Sequence, residues 1–307
     1  MAFFSSSVEG DTTKIVDSLT QHNIVDTLHQ AAQTTPHGEE KGNLFAELIH
    51  HVFDSREIEL PFLGHLHLPH FYLFGTEIYL TKHIVFLLLA ALLLMIILPI
   101  AAKQNAKNKI PKGFGNLIEI FIVFIRDEIV LPNMGKGGLP YLPYLLTTFF
   151  FILIMNLLGM IPYGASATGN ISVTAGLALI AFIMIQFSAI KAQGLKHYLA
   201  HLTGGVHWGL WIIMVPIEFL GLFTKPLALC IRLFANMTAG HIAIVAILGL
   251  NFLFKSYAIT PIPVVLAVGV SLLEIFVAFL QAYVFTMLTA LFMGFGIQSA
   301  HHDEEHH

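Results

Sequence analysis

Hydrophobic positions along this 307-residue chain fall into long blocks separated by short polar breaks. Residues 83–102 form a near-continuous apolar run of membrane-spanning length. Residues 141–161 and 171–190 are two more such runs. The charge-free, small-residue loop between them predicts a tight hairpin of two spans. Residues 113–131 keep apolar positions at helical spacing but are interrupted by Glu119, Arg126, Asp127 and Glu128, which predicts a helix at the membrane interface.

Two later runs are too long for upright crossings. Residues 208–250 would measure roughly 65 Å as one helix, and residues 264–297 roughly 50 Å, against a hydrocarbon core of about 30 Å. The first is therefore expected to be broken, at Pro216 or Pro226, or strongly tilted. The pattern predicts an all-α membrane protein with about five crossing helices, two of them long, tilted and C-terminal. An interfacial helix and a polar N-terminal segment complete it. The expected division is 1–80 extramembrane, 81–298 membrane domain and 299–307 polar tail.

Within residues 1–80, stretches 8–33 and 44–53 carry weak helical periodicity, and the first residues lack the basic and apolar regions of a cleavable signal peptide. His65, His67 and His70 lie close together. Pro61, Gly64 and Pro69 suggest an irregular loop of solvated histidines there rather than a metal site.

Composition agrees with the pattern. Hydrophobic residues make up 56% of the chain and charged residues 11%, and mean hydropathy is +0.77. A soluble domain is about a quarter charged. Net charge is −4, so nothing points to nucleic acid. Cys230 is the only cysteine, which excludes an intrachain disulfide and a cysteine metal cluster. No metal or cofactor is expected.

Lys103, Lys107, Lys109 and Lys112 follow the first span, and Lys191 and Lys196 follow the third. By the positive-inside rule these ends face the cytoplasm, so the N-terminus is outside and the C-terminus inside.

Between residues 129 and 302 only Glu218 and Glu274 are acidic. Arg232 lies deep in an apolar run, where a guanidinium costs about 2.5–3.5 kcal/mol on insertion scales and does not escape by deprotonation. Glu218, Lys225 and Arg232 are spaced by seven and share a helix face. Ala228, Ala239, Ala243 and Ala246 lie within about 40° of Arg232, Ala235 about 60° away and Asn236 about 40° away. Small residues let another helix approach closely. This face either packs inside the chain around a structural arginine or meets a partner bearing a charge.

Glu274 and Gln281 lie one heptad apart on the last helix. If the two long helices run antiparallel, Arg232 comes level with Gln281, and His241 with Glu274. His241 and Glu274 then lie towards the outer side of Arg232, and Glu218 towards the inner side. Imidazole and carboxyl groups can exchange protons near neutral pH. A fixed cation between two titratable groups can separate two wet half-channels, with a mobile carboxylate on a neighbouring protein carrying protons past it. A buried ion pair that only joins two helices is the other reading of His241 and Glu274.

The segment Leu229-Cys230-Ile231-Arg232-Leu233-Phe234-Ala235-Asn236-Met237-Thr238-Ala239-Gly240-His241 strongly resembles subunit a of the F-type ATP synthase. Support comes from Pro216-Ile217-Glu218, Lys225-Pro226, residues 155–162, Leu273-Glu274 and residues 280–285. The resemblance covers about residues 60–298. It implies a stator subunit whose long helices lie against a ring of c subunits, with peripheral-stalk b subunits and the rest of the complex as partners, in the bacterial cytoplasmic membrane.

Arg232 matches the arginine that faces the ring carboxylate. Asn236, His241, Glu274 and Gln281 match the outer half-channel, and Glu218 the inner one. Asn156 and Lys225 are secondary candidates. In some bacterial members the acid and the histidine are exchanged between the positions of His241 and Glu274. The subunit has no catalytic site of its own. A secondary transporter that binds an anionic substrate at Arg232 is the alternative, opposed by the lack of internal repeats. An intramembrane metalloenzyme is opposed by the lack of an HExxH-type ligand pair.

Overall fold

The structure, a computed structural model, describes residues 57–60, 64–67, 70–73, 76–79, 81–107, 113–161, 166–195, 198, 211–254 and 261–304. The helical stretches expected at 8–33 and 44–53, Lys109, Lys112, Lys196 and tail residues 305–307 lie outside these. The chain divides into two compact units. One comprises Met1–Ser55 with Ala239–Leu272, the other Arg56–Thr238 with Leu273–His307.

The larger unit begins with two antiparallel hairpins. Strands β1 (Glu57–Leu60) and β2 (Gly64–His67) pair with Glu59 opposite His65 and Glu57 opposite His67. Strands β3 (His70–Leu73) and β4 (Thr76–Tyr79) pair with His70 opposite Tyr79. This corrects the loop expected around His65, His67 and His70. Gly64 opens β2 opposite Leu60.

The other described elements are helical. Helix α1 (Lys82–Lys107) buries Ala90, Leu94 and Ala101 on one stripe and exposes Leu88, Leu92 and Met95 on the other. An apolar outer face of this kind suits lipid rather than water. Helix α2 (Phe114–Phe124) runs through a π-helical turn at Ile125–Val130 into the short helix α3 (Leu131–Met134) and a 3-10 segment at Gly135–Tyr141. Helix α4 (Leu142–Gly159) and helix α5 (Ile171–Gln193) follow, with a 3-10 turn at Ala167–Gly169 before α5. In α2, Phe121 stacks on Phe279 at 6.0 Å and meets Phe149 and Phe150. The charges that interrupt this segment stay outside the core: Arg126 Nε bonds its neighbour Asp127 at 2.7 Å, and both are over 40% exposed.

Helix α6 (Trp211–Phe254) and helix α7 (Pro261–Glu304) each have 44 residues. Both Pro216 and Pro226 lie inside α6, which continues through them. The break that was one option does not occur. Proline is tolerated in membrane helices because neighbours and local adjustment satisfy the freed carbonyls. A helix of roughly 66 Å cannot stand upright within a hydrocarbon core of about 30 Å.

Among the described residues, five segments are long and apolar enough to cross a membrane: Lys82–Gln104, Phe114–Gly159, Ile171–Gln193, Leu220–Gly249 and Pro261–Gln298. The number matches the expected five, and the membrane part is all-α. The second segment takes in the expected interfacial helix as well as α4.

Glycines set the close approaches. A Cβ on Gly294 would lie 2.0 Å from the Asn133 carbonyl oxygen, and one on Gly296 2.6 Å from Ala189 Cβ. Here α7 touches the α3 turn and α5. Two amides lock the contact: Gln193 Nε2 donates to the Gly296 carbonyl at 2.7 Å, and Gln298 Nε2 to that of Asn133 at 3.0 Å. In the smaller unit, Ser271 donates its hydroxyl to the Ala267 carbonyl at 2.9 Å.

Candidate functional site

Two cross-contacts fix how α6 and α7 run past one another in the larger unit. Lys225 Nζ sits 5.0 Å from the centre of the Phe292 ring. Asn236 Nδ2 donates to Gln281 Oε1 at 2.8 Å. Going from one contact to the other advances eleven residues on α6 and retreats eleven on α7, so the helices are antiparallel. Interpolation puts Arg232 level with the fully buried Phe285. The expected level of Arg232 with Gln281 is thus displaced by four residues, about one turn. Leu229, Leu233 and Phe285, buried to 1% or less, belong to one apolar core at this level.

Helix α6 has two faces here. Leu229, Cys230, Leu233 and Met237 are buried. Ala228, Arg232, Ala235 and Asn236 are exposed. Ala228 and Ala235, the alanines beside Arg232, therefore do not pack inside the larger unit, whereas Ala243 and Ala246 further along α6 are half-buried. The Arg232 guanidinium stands on an apolar outer surface that includes Leu227 and Ile231.

On α7 the polar positions point inward. Glu274 and Gln281 are buried, together with Ala278 and Ala282. Glu218 lies on α6 two turns before Lys225, and His241 lies on α6 in the smaller unit. Among the described residues no group of three or more His, Cys, Asp or Glu side chains is arranged to hold a metal ion.

A buried polar cluster joins α1, α4 and the turn before α5. His83 Nδ1 meets the Ser166 carbonyl oxygen at 2.8 Å. The Ser166 and Thr168 hydroxyls are 2.7 Å apart, and Thr168 Oγ1 donates to Asn156 Oδ1 at 2.7 Å. All four residues are at most 3% exposed. Thr174 of α5 contacts Cys230 Sγ of α6 at 3.4 Å. Asn156 was a secondary candidate from the sequence; His83, Ser166 and Thr168 were not singled out. Their signal was faint: a histidine at the mouth of a span, and hydroxyls in a loop that read only as small residues.

These features define a multi-pass helical membrane protein that carries a guanidinium on the outer face of one very long helix and buried polar groups on the next. The family model for the ATP synthase A chain matches residues 84–294. The chain is 52% identical over 277 residues to ATP synthase subunit a 2 of Chlorobaculum tepidum, covering 89% of this chain and 77% of that one. It is 51% identical to ATP synthase subunit a of Chloroherpeton thalassium, covering 85% and 79%. It is 52% identical to that of Myxococcus xanthus, covering 75% and 77%. The chain belongs to the ATP synthase A chain family, a family of non-catalytic membrane subunits. Its place is in the membrane sector, in proton transport and ATP synthesis, with the rest of the complex as its partner.

Proposed function

We propose that this subunit conducts protons through two half-channels kept apart by Arg232, and hands them to and from carboxylates on a rotating ring of c subunits. Glu218 serves the half-channel open to the inner side, and Lys225 is a secondary candidate. Asn236, His241, Glu274 and Gln281 serve the half-channel open to the outer side, and Asn156 contributes there. The ring covers the α6 face that carries Arg232, and peripheral-stalk b subunits hold the chain still. The membrane is the bacterial cytoplasmic one, with residues 1–80 outside and residues 299–307 in the cytoplasm.

The observation that carries this reading is the exposure of Arg232 among exposed alanines on α6. A permanent cation on an outward apolar face needs a partner with an opposite charge, because lipid alone would leave it costly. Alanines beside it leave room for a second helix to come close. A cation fixed there also repels a proton that tries to pass directly between two wet passages. A carboxylate that has come round the ring neutral loses its proton into one passage, pairs with Arg232 as it passes, and takes up a proton from the other passage before it re-enters lipid. At about 100 mV each charge moved across the membrane contributes about 2.3 kcal/mol.

The test is Arg232→Ala in the whole complex, in membrane vesicles. ATP-driven proton pumping should vanish while the complex still assembles. Coupled pumping retained by the variant would defeat the reading.

A further inference from the structure

Four buried side chains and one backbone carbonyl form a directed chain at one end of the α4–α5 hairpin. The Ser166 carbonyl oxygen can only accept, so the His83 contact at 2.8 Å places the imidazole proton on Nδ1. Thr168 has one hydroxyl proton and spends it on Asn156 Oδ1 at 2.7 Å. Across the 2.7 Å separation of the two hydroxyls, Ser166 must therefore be the donor to Thr168. The carboxamide of Asn156 is left with its oxygen committed to the turn and its NH2 group directed elsewhere.

Backbone geometry reinforces this. Gly159 lies three residues after Asn156, on the same face of α4. A Cβ on Gly159 would lie 2.4 Å from Ser166 Cβ and 2.7 Å from its Cα. The missing side chain lets the 166–169 turn close onto α4, and His83 grips that turn from α1. Asn156 itself is 2% exposed, so its orientation is set by these partners and not by bulk water.

We infer that His83 is a positioning residue of the outer proton path: it pins the 166–169 turn to α1, and through Thr168 fixes which way the Asn156 amide faces. This rests on the place proposed above for Asn156. Loss of the Nδ1 donor frees the turn, and the amide of Asn156 can then rotate to offer an acceptor where the path needs a donor.

The test uses the whole ATP synthase in vesicles, with ATP synthesis driven by an imposed proton gradient and normalised to assembled complex. His83→Gln, which cannot reach with its amide to the Nδ1 place, should lower the rate roughly tenfold. His83→Asn, whose Nδ2 lies where Nδ1 was, should restore most of it. Thr168→Val should fall with His83→Gln, Thr168→Ser should recover, and the double variant His83→Gln with Thr168→Val should lose little more than either alone. A full rate in His83→Gln, or equal losses in His83→Asn and His83→Gln, overturns the inference. If His83→Gln does not assemble, the Thr168 pair decides by the same comparison. Asn156→Leu separates the two levels. An unchanged rate there removes Asn156 from the path altogether, whereas a loss there beside an intact His83→Gln rejects only the positioning role.

Discussion

Asn236 donates its side-chain amide to Gln281 across 2.8 Å, one turn of α6 beyond Arg232. The bond links the exposed face of α6, where Asn236 sits, to the buried interior of α7, where Gln281 is 2% exposed. It is therefore the polar contact nearest Arg232 that ties the two long helices together in the larger unit. The guanidinium is held by a helix whose height and rotation are fixed from behind, a requirement for any group that must meet a moving partner at one level.

Removing either end of that bond should cost more in coupling than in stability. Interhelical hydrogen bonds inside membranes contribute about 0.6 kcal/mol on average. A double-variant cycle of Asn236→Leu and Gln281→Leu, read by unfolding in bicelles, should give an interaction energy of about 0.5–1.5 kcal/mol. ATP-driven pumping should fall in both single variants. Strict additivity in the cycle would show that the two amides do not act on one another.

Glu274 is buried to 5% exposure on the inward face of α7, one heptad from Gln281. Glu274→Gln keeps the shape and removes the exchangeable charge. ATP synthesis driven by an imposed gradient should drop at least about tenfold if the group takes part in proton transfer, the lower range for general acid–base groups being about a hundredfold. Assembly should be retained, because a neutral amide is easier to bury than a carboxylate. Normal synthesis rates in vesicles would remove Glu274 from the path.

Lys225 lies over the Phe292 ring, 5.0 Å from its centre. Phe292→Leu keeps apolar volume but removes the ring face that attracts the ammonium. The expected loss is about 0.5–1 kcal/mol, as for partly exposed cation–π pairs. Thermal unfolding of the full chain in detergent checks it, and Lys225→Met should remove the same increment. If the two losses add fully in the double variant, the contact carries no interaction energy.

Much of this architecture was legible because lipid permits so few solutions. A run such as residues 83–102 can only be a helix in hydrocarbon, and five such segments emerge from hydropathy alone. What was hidden depended on contacts. A break at Pro216 or Pro226 and a strong tilt are both open from the sequence, and α6 runs through both prolines. The hairpins at 57–79 had a signal of period two in Glu57-Ile58-Glu59-Leu60 and His65-Leu66-His67, masked by the prolines and glycine that join the strands. The register of α6 on α7 differs by one turn from the level that the polar residues alone suggest, because sequence spacing carries no information on the apolar core to which Leu229, Leu233 and Phe285 belong. Arg232 was found by charge in a greasy run. His83 was passed over because a histidine at a helix start has many uses, and only the fold brings it to Ser166.

Gly294 and Gly296 hold the far end of α7 against its neighbours, and their replacement should separate packing from proton chemistry. A Cβ at position 294 would sit 2.0 Å from the Asn133 carbonyl oxygen, a distance that backbone atoms must move to relieve. At position 296 the added carbon would meet Ala189 Cβ at 2.6 Å and its Cα at 2.9 Å. Either shift pulls on the amides of Gln193 and Gln298 that cross this contact. Overpacking of this kind costs about 1–3 kcal/mol. Gly294→Ala should therefore lower the amount of assembled complex, with normal proton flux per complex that does form. Asn133→Ala should not rescue it, because the clash is with the Asn133 backbone and not with its side chain. Wild-type levels of Gly294→Ala would mean that the contact between α7 and the α3 turn yields to a side chain at little cost, which overturns the role of Gly294 in packing.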